Sequence, residues 1–190
     1  HNTLVTNWCQ AGQDANLPTR RATVADYANA SGAPSTVPDG IVGEGPATNR
    51  SSFDVTIRTA ERFLAERMEQ RSLPYATPND LLDAVSAHKH TKHGRNAQTA
   101  GFDFSALASL STGGMSRECR RELLKWKGVL AMSTSSTARV NLYVALWVAR
   151  LSVASQRVVG DTVLASLTSF TAAHRHVVRD RSSELLVNYG

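Results

Sequence analysis

Cysteine is scarce in this chain of 190 residues, which holds only Cys9 and Cys119, far apart in the sequence. Two distant thiols provide neither a disulfide framework nor a CxxC metal half-site, so they favour a reducing compartment. Long hydrophobic runs are also missing, because Arg150 interrupts the best candidate, VNLYVALWVARLSVAS. A membrane-spanning helix needs about 18 or more uncharged apolar residues, so we predict no membrane partner.

Catalytic motifs are absent as well. The chain contains no GxSxG, HExxH or repeated DxD motif from which an active site is commonly built. The segment GIVGEG at 40–45 resembles half of a phosphate-binding loop, but no hydrophobic strand precedes it and no helix start follows it. We therefore predict that the protein is not an enzyme and uses no cofactor. Because the chain begins with His1, we expect its natural N-terminus to be processed away or to lie outside this sequence.

Hydrophobic periodicity predicts helices along most of the chain. We find no alternating run of about four to eight residues that competes with the helical spacing, so the predicted fold is all-α, one helical-bundle domain over 1–190. Residues 31–52 are dense in Gly, Pro, Ser and Thr, which predicts an extended loop. The predicted helices cover 54–71, a segment with its N-cap at Thr77, a short helix capped by Asp103, and 116–132, 137–158 and about 161–181. The segment 137–158 is apolar on nearly every face, which predicts neighbours on several sides.

Positive charge is concentrated in the C-terminal part of the chain. The formal net charge is +5. Residues 117–190 hold eleven Lys and Arg against five Asp and Glu, whereas residues 1–116 hold ten against eleven. A regional cationic surplus favours association with an anionic partner.

The segment HKHTKHGR at 88–95 brings His88, His90 and His93 close together in the sequence. Imidazoles ligate zinc, but His88 and His90 point to nearly opposite sides of a helix, and the neighbouring Lys and Arg repel a cation. A solvated basic loop is the favoured interpretation. A helical metal-binding or adaptor domain that uses this cluster stays open as an alternative function.

One arginine and one aspartate stand within apolar surroundings: Arg58 in TIRTAERFLAERMEQRSLPY and Asp103 in AGFDFSALASL. Burying an ion pair costs several kcal/mol of desolvation per ion, so a chain that retains one invites a functional interpretation, a site that grips a charged ligand. The alternative is that Arg58 lies on an exposed helix face and Asp103 caps the next helix.

Four short segments occur in the order found in one family of viral proteins. Thr56-Ile57-Arg58 and Gly101-Phe102-Asp103-Phe104 are similar to the T-[LI]-R and [AG]-F-D-F motifs of coat proteins of flexuous filamentous plant RNA viruses, of the potyvirus and potexvirus kind. NTLVTNWCQAGQDANLP is similar to their upstream W-C-x-x-x-G segment, and SRECRRELLKWKGVLA to their basic helix. The resemblance covers about residues 2–132 and leaves the helices in 133–190 as a variant or an addition.

The resemblance implies a structural coat protein of the virion and host cytoplasm. Such a protein binds single-stranded genomic RNA without sequence specificity and polymerises head-to-tail with identical subunits into a flexible helical filament. A nucleoprotein of another RNA virus is the near alternative.

The resemblance also implies which residues contact RNA. Arg58 and Asp103 would line the RNA groove, where the carboxylate orients the guanidinium or accepts from a ribose hydroxyl. Arg120 and Lys127 belong to the similar basic helix. The family has an RNA-contacting serine where this chain has Asp14 and Ala15, so that contact is either missing or supplied elsewhere, and Thr19 is the predicted substitute.

Overall fold

The structure is a computed structural model that describes residues 1–27, 37–43, 50–58 and 77–187, with side chains to residue 166 and at residue 168. A 3-10 turn (Val24–Tyr27) follows the first strand, and a π-helical turn (His90–Gly94) joins the second and third helices. The helices and strands follow one another as α1 (Asn2–Asp14), β1 (Thr19–Arg21), β2 (Gly40–Val42), β3 (Ser51–Arg58), α2 (Pro78–Lys89), α3 (Arg95–Thr99), β4 (Asp103–Leu110), α4 (Arg117–Ser133) and α5 (Thr137–Val187).

A four-stranded sheet makes the fold mixed α/β, so the prediction of an all-α bundle is wrong. The strands lie in the order β1, β2, β3, β4. The first two pairings are antiparallel, and β3 and β4 are parallel. Helices α1, α4 and α5 pack against one face of the sheet, and α2 packs against the other face of β4. The sheet is thus a middle layer between two helical layers.

The predicted helix over 54–71 is wrong where the structure describes it, because 51–58 form β3 and 59–71 lie outside the described residues. The segment FDVTIR alternates apolar and polar residues, a period of two that is typical of a strand. Phe53 joins the core on the α4 face, while Asp54 faces α2. The sequence was also compatible with a helix, because Phe53 and Ile57 are four residues apart, the spacing of one helix face.

β4 replaces the short helix that Asp103 was predicted to cap. Every residue from Ser105 to Leu110 is buried, because helices cover both faces of the strand. Leu107 enters the α4 side of the core and Ala108 the α2 side. A strand buried on both faces shows no alternation, and its run of Ser, Ala and Leu is compatible with a helix from sequence alone.

The first turn of α4 covers the side of β4 that does not pair with β3. Ser116 N donates to Ala108 O at 2.9 Å, and Glu118 Oε1 accepts from Ala106 N at 3.0 Å. Ser116 Oγ accepts from Cys119 N at 3.2 Å, which confirms the predicted start of this helix. The Ala106 amide and the Ala108 carbonyl on this edge of β4 are thereby satisfied without a further strand.

The predicted N-cap of α2 is confirmed. Thr77 Oγ1 accepts from Asp80 N, and Asp80 Oδ2 accepts in return from Thr77 N at 2.8 Å. This reciprocal pair is a capping box, and Pro78 occupies the first turn, where no N–H donor is needed.

Part of the predicted loop over 31–52 is strand. β2 lies inside it and 51–52 belong to β3, while 31–36 and 44–49 lie outside the described residues. Gly40 pairs with Phe53, and a Cβ on Gly40 would lie 2.2 Å from Cζ of that buried ring. Gly40, which contributed to the prediction of a loop, is therefore a residue that the sheet needs for close packing against Phe53.

The predicted helices 137–158 and 161–181 are one helix, α5, which spans about 76 Å with its 51 residues. Trp147 and Leu151 are buried in the core on one side of α5, whereas Leu142 on the other side is 64% exposed. The prediction of neighbours on several sides is therefore wrong, because the described fold covers α5 on one side.

Candidate nucleic-acid interface

Arg58 and Asp103 lie at opposite ends of the parallel strand pair. The register places Ser51 beside Asp103 and Arg58 beside Leu110. Seven residues at about 3.3 Å each separate the two positions by about 23 Å along the strands. The predicted pairing of this guanidinium with this carboxylate is therefore wrong within one chain.

Asp103 instead belongs to a cavity of about 480 Å³ that contains two other charged groups, Arg50 and Lys125. Asp103 N donates to Arg50 O at 3.1 Å, so the start of β4 is held beside Arg50. The Arg50 guanidinium carbon lies 4.5 Å from the centroid of the Phe102 ring, a cation–π contact that orients it. Trp126 forms part of the wall. Asp103 is exposed, so its carboxylate is accessible from this cavity.

The exposed face of α4 presents a row of three cations, Arg117, Arg121 and Lys125, which we call the cationic row. Residues four apart are neighbours on a helix surface, and the row is about 12 Å long. Arg117 and Arg121 line a second cavity of about 330 Å³ together with His90, and Lys125 lines the cavity of Asp103. The row thus joins the two cavities along one helix.

The acidic neighbours of the cationic row hold it weakly. Arg117 Nε lies 3.5 Å from Asp83 Oδ2, and Lys125 Nζ lies 3.8 Å from Glu122 Oε2. The side chains of Arg117 and Lys125 are 73% and 54% exposed. Exposed pairs of this kind contribute about 0–1 kcal/mol, so both cations are available to a stronger anionic partner.

Arg120 and Lys127 lie on the opposite edge of the same exposed face. Arg120 is exposed and Lys127 half-buried. At 100° per residue, Arg120 and Lys127 both lie on one side of Leu124, which is 57% exposed, and Lys125 lies on its other side. The basic helix implied by the resemblance is therefore present, with a wider cationic face than these two residues predict.

Thr19 does not offer its hydroxyl to a ligand. The residue is 5% exposed on β1, and its Oγ1 donates to Leu17 O at 3.0 Å. Its side chain packs so closely on Gly12 that a Cβ there would lie 2.1 Å from Oγ1. Thr19 serves packing between α1 and the sheet. Its assignment as an RNA contact finds no support in this geometry.

The site residues predicted from the sequence did not include Arg50, Arg117, Arg121 or Lys125. The four-residue spacing on α4 was visible in SRECRRELLKWK and is the pattern that identifies one helix face. Arg50 carried no such pattern, because only the pairing of β3 with β4 brings it beside Asp103.

A buried charged cluster lies on the other face of β3. Lys89 Nζ is 2.6 Å from Asp54 Oδ2, and His93 Nε2 is 3.6 Å from Asp54 Oδ1. The Lys89 contact is close enough for an ion pair although its angles fall outside those of a hydrogen bond. Burial lowers the pKa of His93, and the charge of Asp54 opposes that shift. The interpretation of 88–95 as a solvated loop is therefore wrong, because the segment is helical throughout and His93 is buried.

The imidazoles of this segment diverge. His88 is exposed, His90 Nε2 lies 2.8 Å from Glu118 Oε1, and His93 is 2% exposed beside Asp54. Among the described residues no three His, Cys, Asp or Glu side chains group as metal ligands.

The buried carboxyl group of Asp39 should make the free energy of unfolding depend on pH. Burial, together with the charge of Asp54, raises its pKa to about 6, although Val55 N donates to Oδ2 at 2.7 Å. A carboxyl group whose folded pKa lies above the unfolded value costs stability as pH rises from about 4 to 6. We expect Asp39→Asn to gain up to about 3 kcal/mol above pH 6 and nothing below about pH 4. Urea unfolding at pH 4 and pH 7.5 measures this, and an equal gain at both values would contradict it.

Neither family models, curated proteins nor solved structures match this chain. The resemblance to coat proteins therefore stays a prediction based on four short motifs. None of the helices in the described part combines the length and the apolar character that crossing a bilayer requires.

Proposed function

We propose that this protein is a structural subunit that binds single-stranded RNA without sequence specificity along the cationic row of α4. The observation that carries the proposal is the row itself, three exposed cations at four-residue spacing that join two cavities. Contacts to phosphates supply essentially all of non-specific binding, because neutralised phosphates release their counterions. The eleven Lys and Arg against five Asp and Glu in 117–190 support such a partner.

The cavity of Asp103 adds a group that can distinguish RNA from DNA. An exposed carboxylate accepts a hydrogen bond from a ribose 2′-hydroxyl, which DNA lacks. Arg50 and Lys125 line the same cavity and offset the repulsion between Asp103 and a phosphate. In this proposal Arg50 takes the role that the sequence predicted for Arg58.

The polymeric form of this function rests on the sequence resemblance. Coat proteins of the similar family polymerise head-to-tail along RNA, and an interface that does not close into a ring generates such a helix. We therefore propose that identical subunits assemble along the bound RNA. The fold itself is not the helical bundle that the hydrophobic periodicity predicted.

Removing two members of the row should weaken RNA binding strongly. We expect Arg117→Gln/Arg121→Gln to lower the affinity for a labelled oligouridine about a hundredfold, since each lost charged contact costs about 1.5 kcal/mol. The slope of log affinity against log salt should become shallower by about 1.4. Fluorescence anisotropy over a salt series measures both quantities.

The matched control is Arg139→Gln/Arg157→Gln, which removes the same charge from exposed positions on α5. We expect it to keep the wild-type salt slope. An equal weakening by both variants would show that net charge, not the row, determines binding. An oligodeoxyuridine bound as tightly as the oligouridine would contradict the role of Asp103.

A further inference from the structure

The side of α5 that faces away from the core carries apolar side chains that the described fold leaves uncovered. Leu142, Leu146, Val153 and Val163 are 64%, 45%, 49% and 52% exposed. Ala149 is also exposed between them. We call these five residues the apolar stripe. It is about 32 Å long at 1.5 Å per residue, far more than one scattered surface side chain explains.

The spacing of the apolar stripe is that of a coiled coil. Its first four members follow one another at intervals of four, three and four residues, which alternates between the d and a positions of a heptad. Val163 falls on a d position two heptads after Ala149, and the amino-acid sequence continues the series with Leu167 and Phe170. A sustained a and d pattern over about three or more heptads is typical of helices that pair along their length.

The C-terminal part of α5 needs a partner to be stable. The last buried residue of the helix is Ser155, and every side chain described from Gly160 onward is exposed. Thirty-two residues of helix, 156–187, continue beyond that point. Helices gain most of their stability from packing of an apolar face, and isolated ones are marginal in water.

We propose that the apolar stripe is the interface of a parallel two-stranded coiled coil formed with a second copy of this chain. The same stripe on both copies gives the self-complementary contact of a two-fold dimer. Gln156 and Gly160 fill the d and a positions between Val153 and Val163. A polar residue in the seam sets the register at a cost in stability.

The charges beside the stripe favour the parallel orientation. Arg150 and Arg157 occupy e positions, and Ala145 and Ser152 occupy g positions. In a parallel pair e faces g, so each arginine meets a neutral side chain of the second copy. In the antiparallel register of greatest overlap, e faces e and Arg150 opposes Arg157 of the second copy, a repulsion that Asp14, 4.0 Å from Arg150, offsets only in part. Like charges in contact are destabilising.

This association goes beyond RNA binding, because the stripe and the cationic row are different surfaces on different helices. The dimer forms in the absence of RNA. An oligomeric subunit places several cationic rows in one particle, which raises the effective concentration of each along an RNA strand.

Sedimentation equilibrium of the RNA-free protein tests the proposal. We expect the wild type to be a dimer and Leu146→Glu/Val153→Glu to be a monomer that keeps the near-ultraviolet circular dichroism of the buried Trp8 and Trp126 while losing helical signal from the end of α5. The matched control is Val24→Glu, because Val24 is 63% exposed on the 3-10 turn, away from α5, and this variant stays dimeric. A monomeric wild type, or a dimer that survives both glutamates, overturns the proposal.

A second arm tests the orientation. Cys9 and Cys119 are buried, so an added exposed thiol is the reactive one. In a parallel pair Ala149→Cys places two thiols side by side, and a short bismaleimide should link the copies. Asn141→Cys, on the c position, should remain unlinked. The reverse pattern overturns the parallel pair.

The oligouridine assay on Leu146→Glu/Val153→Glu reports separately on RNA binding, whose salt slope per subunit should persist.

Discussion

Replacing Lys89 with methionine should lower the free energy of unfolding by about 3–5 kcal/mol. The substitution removes the cation 2.6 Å from Asp54 Oδ2 and leaves a carboxylate whose side chain is 8% exposed. The loss should shrink in acid, because the charge of Lys89 lowers the pKa of His93, so that its removal favours an imidazolium 3.6 Å from the carboxylate. Urea unfolding at pH 7.5 and pH 5 measures both effects. The cost arises from the unpaired charge, not from lost apolar contacts.

Two further variants separate this cause from others. Lys92→Met removes an exposed cation of the adjoining π-helical turn and should change stability by less than about 0.5 kcal/mol. Adding Asp54→Asn to Lys89→Met should recover most of the loss, because it removes the orphaned charge. If Lys89→Met alone proved as stable as the wild type, water would have to reach Asp54, against its observed burial.

Trp126→Ala should destabilise the protein by about 3–5 kcal/mol. Trp126 is 2% exposed, and its ring centroid lies 5.7 Å from that of Trp8 and 6.5 Å from that of Phe53 in edge-on arrangements. It therefore joins α1, β3 and α4 at one point of the core. Removing it opens a cavity that these neighbours cannot fill without moving. Chemical unfolding followed by far-ultraviolet circular dichroism, whose signal does not depend on the replaced tryptophan, measures the loss in free energy of unfolding.

The matched control for this prediction is on the same helix. Leu124→Ala, two residues earlier and 57% exposed, should cost no more than about 0.5 kcal/mol. Trp126→Phe should lie between the wild type and Trp126→Ala, since it retains an aromatic ring in the same contacts. A loss below about 1 kcal/mol for Trp126→Ala would contradict the packing described for this residue.

Helix starts were predictable because the interactions that fix them are local. Thr77 and Ser116 cap their helices through atoms three residues away, so a short stretch of sequence contains the whole interaction. The apolar positions of α4 that enter the core (Cys119, Leu123, Trp126 and Leu130) were predictable for the same reason, since a helical period of 3.6 follows from the chain itself. The helical period identifies the buried face of a helix but does not identify the element that packs against it.

The strands and the candidate site depended on distant segments. Phe53 fits a helical and a strand pattern equally, and the parallel pairing with β4 decides between them. The same register separates Arg58 from Asp103 and brings Arg50 to the aspartate. The neighbours of an ionisable side chain near the end of a strand come from the partner strand. The apolar residues beside Arg58 and Asp103 in the sequence therefore did not identify the contacts of these two side chains.

The amino-acid sequence by itself determined the caps at Thr77 and Ser116, the buried side of α4, and the concentration of positive charge toward the C-terminus. Only the tertiary structure decided that FDVTIR and DFSALASL are neighbouring strands, that Lys89 neutralises Asp54, and that the cationic row meets Asp103. The physical reason is the range of the interactions. Caps and helical faces arise within one or two turns of chain, whereas strand pairing and the burial of charge require groups that are remote in sequence.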